Sequence, residues 1–196
     1  MSWMRSSSSS LLLVALLSAA PAAAGDDPSI KVWTDKVAGS DIPYASVEAV
    51  IDAPPAVVWE IVSRCNNYEK NMPRVAEAKE LAREGDESSS FTTTCRVVAD
   101  LPFPLGDLTS ISKAVHTVEP GVKYVRKWSF VSGDYIMNEG SWTLVAVDDG
   151  KKTRATYRLR AKPKLALPDS MLASFQQQTL PDVIKKLRAT TSTKKP

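Results

Sequence analysis

Residues 47–62 read VEAVIDAPPAVVWEIV and join an alternating segment to a short apolar one. Apolar and polar residues alternate over Tyr44–Asp52, which is the period of a half-buried strand. Pro54 and Pro55 then fit the first turn of a helix, where a missing N–H costs nothing, and Asp52 is expected to cap that helix. The residues that follow repeat at the spacing of one buried helix face: Val57, Val58, Ile61, Val62 and Cys65. The stretch therefore predicts a strand followed by a capped helix that packs on the same core.

Most of the remaining chain predicts strands. Ile30–Lys36 is the first, and six more follow the helix with glycine, proline or acidic turns between them: Val75–Arg83, Ser90–Ala99, Leu108–Val118, Val122–Val131, Tyr135–Val147 and Lys152–Lys162. Consecutive strands with short turns predict an antiparallel meander. In the last strand, basic residues alternate with Thr153, Ala155, Tyr157, Leu159 and Ala161. This alternation predicts one wet face and one face toward a core or cavity.

A long helix is predicted at the carboxyl end. Asp169, which follows Pro168, is expected to cap it. Its apolar stripe is Met171, Leu172, Phe175, Val183, Ile184 and Leu187. Pro181 lies inside this helix and should kink it, because the ring removes a hydrogen bond and clashes with the preceding turn. The order of elements predicts an α+β fold in which a curved sheet wraps around one long helix.

The first residues have the pattern of a secretory signal peptide. Arg5 precedes an apolar stretch from Leu11 to Ala20, and small residues at 22–24 predict cleavage before Gly25. The apolar stretch is shorter than the roughly 20 residues that span a membrane. We therefore expect a signal peptide over residues 1–24, one domain over 25–190 and a basic tail over 191–196. The mature protein is expected to be periplasmic or secreted, without a transmembrane helix.

Composition narrows the class of partner. The formal net charge is +3, which is too balanced for a nucleic-acid-binding domain. Cys65 and Cys95 are the only cysteines; they form either a disulfide, which export permits, or two buried thiols. Neither has the spacing of a metal site, and no metal or cofactor is expected. We expect a monomer.

Several of these segments together resemble a known superfamily. They are VEAVIDAPPAVVWEIV, NYEKNMPRVAEAKEL, LPFPLGD, GSWTLVAV and TRATYRLRAKP, and the chain resembles the START and polyketide cyclase/dehydrase and lipid transport superfamily over roughly residues 30–188. The resemblance implies the helix-grip fold: a curved antiparallel sheet around a long carboxy-terminal helix, with two short helices after the first sheet strand. It also implies a cavity that holds a hydrophobic small molecule such as a lipid, an isoprenoid or quinone, or a polyketide.

The chain departs from the bacterial members of the superfamily at two places. Leu108-Thr109 stands where they often have Arg-Asp, and Pro163-Lys164-Leu165 stands where they often have Pro-Gly-Gly. The fold survives these differences, but no particular ligand is transferred.

Aromatic and small inward-facing residues are the candidates for a cavity wall, since small-molecule sites are built mainly from apolar side chains. They are Met171, Phe175, Tyr157, Leu159, Ala155, Trp142, Trp128, Phe91 and Cys95. Met171 and Phe175 are the foremost candidates, because the inner face of the last helix must border any cavity.

The sequence carries little catalytic signal. His116 is the only histidine, and neither a Gly-x-Ser-x-Gly elbow nor a phosphate-binding glycine loop occurs. The leading interpretation is a carrier of a hydrophobic ligand without covalent chemistry. The alternatives are a cyclase or aromatase, in which His116 or Tyr157 moves a proton, and an interaction domain with a filled core.

Basic residues near the carboxyl end are candidates for transient contact with an anionic membrane surface. They are Lys185, Lys186 and Arg188. Each basic residue near such a surface contributes about 1 kcal/mol. An ordinary solvated face explains the same residues.

Overall fold

An antiparallel sheet of eight strands and one long helix dominate the structure, a computed structural model that describes residues 27–101 and 106–193. The strands are β1 (Lys31–Val37), β2 (Ser40–Ile51), β3 (Val75–Asp86), β4 (Ser90–Leu101), β5 (Gly106–Glu119), β6 (Lys123–Gly133), β7 (Tyr135–Val147) and β8 (Lys152–Pro163). The helices are α1 (Pro55–Val62), α2 (Tyr68–Asn71) and α3 (Asp169–Ser192), with a 3-10 turn at Cys65–Asn67. The predicted signal peptide lies outside the described residues. Of the predicted tail, residues 191 and 192 belong to α3.

The strand order is β1-β2-β8-β7-β6-β5-β4-β3. The meander from β3 to β8 is thus completed by β2, which pairs antiparallel with β8 so that Val47 lies opposite Tyr157. The predicted α+β helix-grip fold is confirmed, with every predicted strand present to within a few residues. Because β1 also belongs to the sheet, the two short helices follow its second strand.

Helix α1 begins at Pro55, and the prediction that Asp52 caps it is wrong. Its N-cap residue is Pro54, whose ψ of 150° is extended and whose side chain makes no capping hydrogen bond. A residue that precedes proline is driven out of the helical region, so Pro55 forces Pro54 to be extended and prevents an earlier start. The carbonyl of Pro54 accepts hydrogen bonds from the N–H groups of Val57 and Val58.

Helix α3 also has a proline, Pro168, as its N-cap residue. This residue again makes no side-chain capping hydrogen bond, and Asp169 is the first helical residue rather than the predicted cap. The Asp169 carboxylate pairs instead with Lys162 of β8, with the Lys162 Nζ 2.9 Å from Oδ1. An acidic residue in the first turn also interacts favourably with the helix dipole. Pro181 lies inside α3, and the kink predicted there stays a prediction.

The core fills the space between the inner face of the sheet and helices α1 and α3. Its largest fully buried apolar side chains come from β2, α1, β7 and α3: Ile51, Ile61, Trp142, Leu144, Leu180, Ile184 and Leu187. An aromatic cluster continues this core under α1, where Trp59 contacts Phe91, His116 and Tyr124 at centroid distances of 6.3, 5.4 and 5.4 Å.

A disulfide joins Cys65 to Cys95. It ties the 3-10 turn after α1 to strand β4, and both residues are fully buried beside Tyr68. Of the two possibilities that the sequence leaves open, the structure has the disulfide.

Candidate functional site

A cavity of about 260 Å³ lies between the sheet and the first half of α3. Strands β6 to β8 contribute Trp128, Trp142, Tyr157, Leu159 and Ala161 to its wall. Helix α3 covers it with Leu172, Phe175, Gln176, Thr179, Leu180 and Val183. Tyr68 and Met72 close it from the side of α2. The wall is thus mostly apolar, with a few polar groups.

The strand register explains where the cavity begins. Tyr124, Leu144 and Ala155 lie opposite one another across β6, β7 and β8, and all three belong to the filled core. Two residues further along the sheet, Arg126, Trp142 and Tyr157 form the next inward-facing row, and all three line the cavity. This row is therefore the boundary between core and cavity.

The next row explains how a large ring fits into the wall. Trp128 lies opposite Gly140, which lies opposite Leu159. A Cβ on Gly140 would collide with the ring of Trp128 and with the carbonyl of Arg158. The glycine therefore leaves room for the indole to lie flat against β7, where its Nε1 donates a hydrogen bond to Asn138 Oδ1 at 3.2 Å.

Five of the nine predicted lining residues lie in the cavity wall: Trp128, Trp142, Tyr157, Leu159 and Phe175. The rings of Trp142 and Tyr157 are 4.6 Å apart, and those of Trp128 and Tyr157 are 5.7 Å apart. Their contact with a ligand stays a prediction.

The structure places the other four predicted residues elsewhere. Met171 is 56% exposed, because Leu172 and Gln176 occupy the inward positions of α3. Ala155 lies in the filled core, Phe91 stacks on His116, and Cys95 is used in the disulfide.

Arg126 is the one charged and buried residue among the wall residues, within the described chain, that the sequence analysis did not identify. It is 4% exposed, and its guanidinium carbon lies 5.1 Å from the ring centroid of Trp128 and 5.7 Å from that of Tyr68. The alternation of β6 could have predicted that Arg126 faces inward. Tyr124 and Trp128 lie two positions to either side of it and therefore share its face of the sheet.

Further polar side chains line the cavity, among them Asn138, Gln176 and Ser112. The Asn138 amide donates a hydrogen bond to Ser110 Oγ at 3.1 Å, which fixes its orientation. Gln176 donates to the carbonyl of Ala161 at 2.6 Å, while its Oε1 has no hydrogen-bond partner within the described chain. Ser112 is buried beside them. Such groups orient a ligand inside an apolar site.

His116, the predicted base of the enzyme alternative, does not line the cavity. It is fully buried, and its Nε2 lies 2.9 Å from Thr93 Oγ1. Burial, helped by the positive charges of Arg126 and Arg83, lowers its pKa to about 3. Tyr157, the other proton-moving candidate, lines the cavity, and burial raises the pKa of its hydroxyl well above the usual range.

The three predicted membrane-contacting residues differ in their surroundings. Arg188 is held by the protein: its guanidinium lies 2.8 Å from the carboxylate of Asp27 and donates to the carbonyl of Val50. Lys185 is exposed and lies 3.6 Å from Asp182, and Lys186 is exposed. Membrane contact by these residues stays a prediction. Within residues 27–101 and 106–193, the structure has no helix that is both long and apolar enough to cross a membrane.

One cluster has the residue types of a metal site. Glu80 approaches Cys65 and Cys95, with its Oε2 3.9 Å from the Cys65 sulfur. Both sulfurs are bonded to each other, so they have neither a proton to donate nor a thiolate to offer to a metal. The Glu80 carboxylate is bound by Arg83 at 2.7 Å.

Comparison with known proteins identifies the family. The family model of polyketide cyclase / dehydrase and lipid transport matches residues 51–188. The fold is similar to that of a STAR-related lipid transfer protein from Xanthomonas axonopodis, with a TM-score of 0.71 and 20% identity over 86% of this chain and 97% of that one. The fold is also similar to that of human STARD10, with a TM-score of 0.70 and 15% identity over 87% of this chain and 72% of that one. For human StAR-related lipid transfer protein 5 the TM-score is 0.62 and the identity 10%, over 86% of this chain and 88% of that one. The comparison with curated proteins gives no match. Since the family model covers more than half of the sequence, the chain belongs to the polyketide cyclase/dehydrase and lipid transport family.

Proposed function

We propose that this protein binds one hydrophobic small molecule in the cavity between the sheet and α3 and carries it without covalent chemistry. The apolar cavity of about 260 Å³ is the observation that carries this proposal. The aromatic rings of Trp128, Trp142 and Tyr157 and the aliphatic side chains of α3 would remove an apolar ligand from water.

The size of the cavity limits the ligand. Small-molecule pockets occupy roughly 300 to 1,000 Å³, and this cavity is slightly below that range. It suits one acyl chain or a small ring system, such as an isoprenoid or a polyketide fragment. A lipid with two acyl chains would have to enlarge it.

Export is part of the proposal. The disulfide between Cys65 and Cys95 supports it, because disulfides persist in oxidising compartments such as the periplasm and the extracellular space. The signal-peptide pattern of residues 1–24 supports the same location.

The cavity wall favours a carrier over the alternative, a cyclase or aromatase. Among the described wall residues none is Asp, Glu or His, so no side chain there has the usual chemistry of a general base. The Tyr157 hydroxyl keeps its proton at neutral pH, because burial raises its pKa. It is suited to donating a hydrogen bond rather than to removing a proton.

The test is the direct detection of a ligand. Native mass spectrometry of the purified protein should show one bound small molecule, and organic extraction should release it chemically unchanged. The delipidated protein should bind an environment-sensitive apolar fluorophore with 1:1 stoichiometry. Absence of both a bound molecule and probe binding would contradict the proposal, and conversion of the extracted molecule by fresh protein would favour the enzyme.

A further inference from the structure

Arg126 is a buried cation without a paired anion in the part of the chain that the structure describes. Its side chain is 96% shielded from solvent, since its exposed fraction is 4%. Its contacts there are with the aromatic faces of Trp128 and Tyr68, and its Nε has no hydrogen-bond partner. The neighbouring cation Arg83 has Glu80 at 2.7 Å. Arg126 therefore differs from Arg83 in lacking a carboxylate, and it differs from Arg74, the other arginine of the cavity wall, in being buried rather than exposed.

Keeping such a charge is costly. The free energy needed to remove an ion from water is larger than the free energy gained by contact with an aromatic face. Lysine or histidine could lose its charge in such a place, but a guanidinium stays protonated in proteins. An anion from outside the chain would offset the cost.

The position of Arg126 determines which anion can reach it. It lies in the row of inward-facing residues that separates the filled core from the cavity, and it is itself part of the cavity wall. A molecule that enters the cavity therefore meets the guanidinium at the end that adjoins the core. Beyond this row toward α3 the wall is mostly apolar, with Leu159 and Leu172 beside a few polar side chains such as Gln176.

We propose that the ligand is an amphiphile with a single anionic group, a carboxylate or a phosphate monoester, that pairs with Arg126 while its apolar part lies along Trp128, Leu159 and Leu172. This inference rests on the proposed function and specifies its ligand class. Guanidinium groups match both anions because their N–H donors form a planar fork. The apolar remainder matches the rest of the wall.

Two neighbours support the assignment. The side chain of Tyr157 lines the same cavity. Because burial keeps its hydroxyl protonated, it can donate a second hydrogen bond to an anion. His116 lies opposite Arg126 in the β5–β6 register, and its lowered pKa keeps it neutral, so it adds no charge to the site.

The experiment compares three ligands that differ only in the head group. Delipidated protein is titrated calorimetrically with dodecanoate, dodecyl phosphate and dodecan-1-ol, below their aggregation concentrations. The parent should bind at least one anion about tenfold or more tightly than the alcohol, since charge-assisted hydrogen bonds are among the strong ones. Which anion binds more tightly distinguishes a carboxylate ligand from a phosphate ligand.

Variants then assign the preference to one residue. Arg126→Met should abolish the difference between anion and alcohol, whereas Arg126→Lys should retain part of it. Arg158→Met is the matched control, because this arginine lies on the outer face of β8 and pairs with Asp35. Arg158→Met should leave the preference unchanged. In the ligand-free state, Arg126→Met should melt at the same temperature as the parent or higher, whereas a purely structural arginine would give a lower value.

The outcomes separate this inference from the proposed function. Equal affinity of the parent for dodecanoate, dodecyl phosphate and dodecan-1-ol would overturn the anionic ligand and leave the carrier intact. A preference that survives in Arg126→Met would also overturn it. Failure of the parent to bind any of the three ligands or the apolar fluorophore would instead contradict the proposed function. If Arg126→Met does not fold, the preference for an anion over dodecan-1-ol is compared between the parent and Arg126→Lys. A preference that is equal in both would then overturn the inference.

Discussion

The imidazole of His116 lies parallel to the ring of Phe91, with the ring centroids 4.1 Å apart and the planes inclined by 10°. The edge of Trp59 packs against the same imidazole at 5.4 Å. The lone histidine is therefore a member of the aromatic cluster under α1, and Thr93 supplies its hydrogen bond. Because His116 is buried and lies outside the cavity, it affects the stability of the fold at low pH rather than catalysis.

His116 should make the fold less stable as the pH falls. The folded protein keeps this side chain neutral down to a pKa of about 3, whereas an unfolded histidine takes up a proton below about 6.5. Unfolding therefore binds a proton between these two values, and the contribution of His116 to the free energy of unfolding falls by about 1.4 kcal/mol per pH unit as the pH drops through this window.

The variant His116→Gln removes the titration and retains a side chain that can reach Thr93. In urea melts at pH 7, 5.5 and 4.5, the free energy of unfolding should fall less steeply for the variant than for the parent. Carboxylates contribute equally to both curves and cancel in the difference. Parallel curves would show that His116 can be protonated in the folded state.

The Cys65–Cys95 disulfide should contribute substantially to stability. The bond closes a loop with a sequence separation of 30, for which loop-closure entropy predicts about 3 to 4 kcal/mol. The double variant Cys65→Ser/Cys95→Ser should lose roughly this amount in urea melts. Reduced parent protein is the control and should resemble the variant. A parent whose stability does not change on reduction would contradict this expectation.

Gly140 should be intolerant of even one methyl group. In many strands a change from glycine to alanine stabilises by about 0.4 to 1 kcal/mol, because it restricts the unfolded chain. At position 140 the new Cβ would collide with the Trp128 ring and the Arg158 carbonyl. Gly140→Ala should therefore destabilise by about 1 to 3 kcal/mol and weaken binding of the fluorophore by displacing the indole. Ser141→Ala, at the next position of β7, should have little effect on either measurement.

Period-2 alternation was enough to predict most of the sheet. The inward faces of β2 and β8 follow directly from their sequences, because adjacent side chains must point to opposite faces of a sheet. The helix starts were harder. Asp52 and Asp169 are both capping residue types, but the N-cap residues are the prolines Pro54 and Pro168.

The inner face of α3 could not be read from hydrophobicity alone. Met171 and Phe175 are four residues apart and apolar, which favoured them as the inward stripe. The structure buries Leu172, Gln176 and Leu180 instead. Because Gln176 is polar, these three residues do not form an apolar stripe that hydrophobicity could predict. Its amide is satisfied in part by the carbonyl of Ala161, a partner from β8 that only the tertiary structure reveals.

The last prediction tests the cavity itself with a matched pair of alanines. Ala155 and Ala161 both face inward from β8, six residues apart on the same strand. Ala155 is fully buried in the filled core, whereas Ala161 lines the cavity. The same substitution at the two positions therefore compares a filled interior with an empty one.

Ala161→Phe should place its ring in the cavity, reduce binding of the apolar fluorophore and cost little stability, because space is available there. Ala155→Phe has no such space and should lose about 1 to 3 kcal/mol from overpacking. Urea melts beside fluorophore titrations measure both effects. If Ala161→Phe is as destabilising as Ala155→Phe and the parent binds no fluorophore, the interior at Ala161 is closed and a carrier function is untenable.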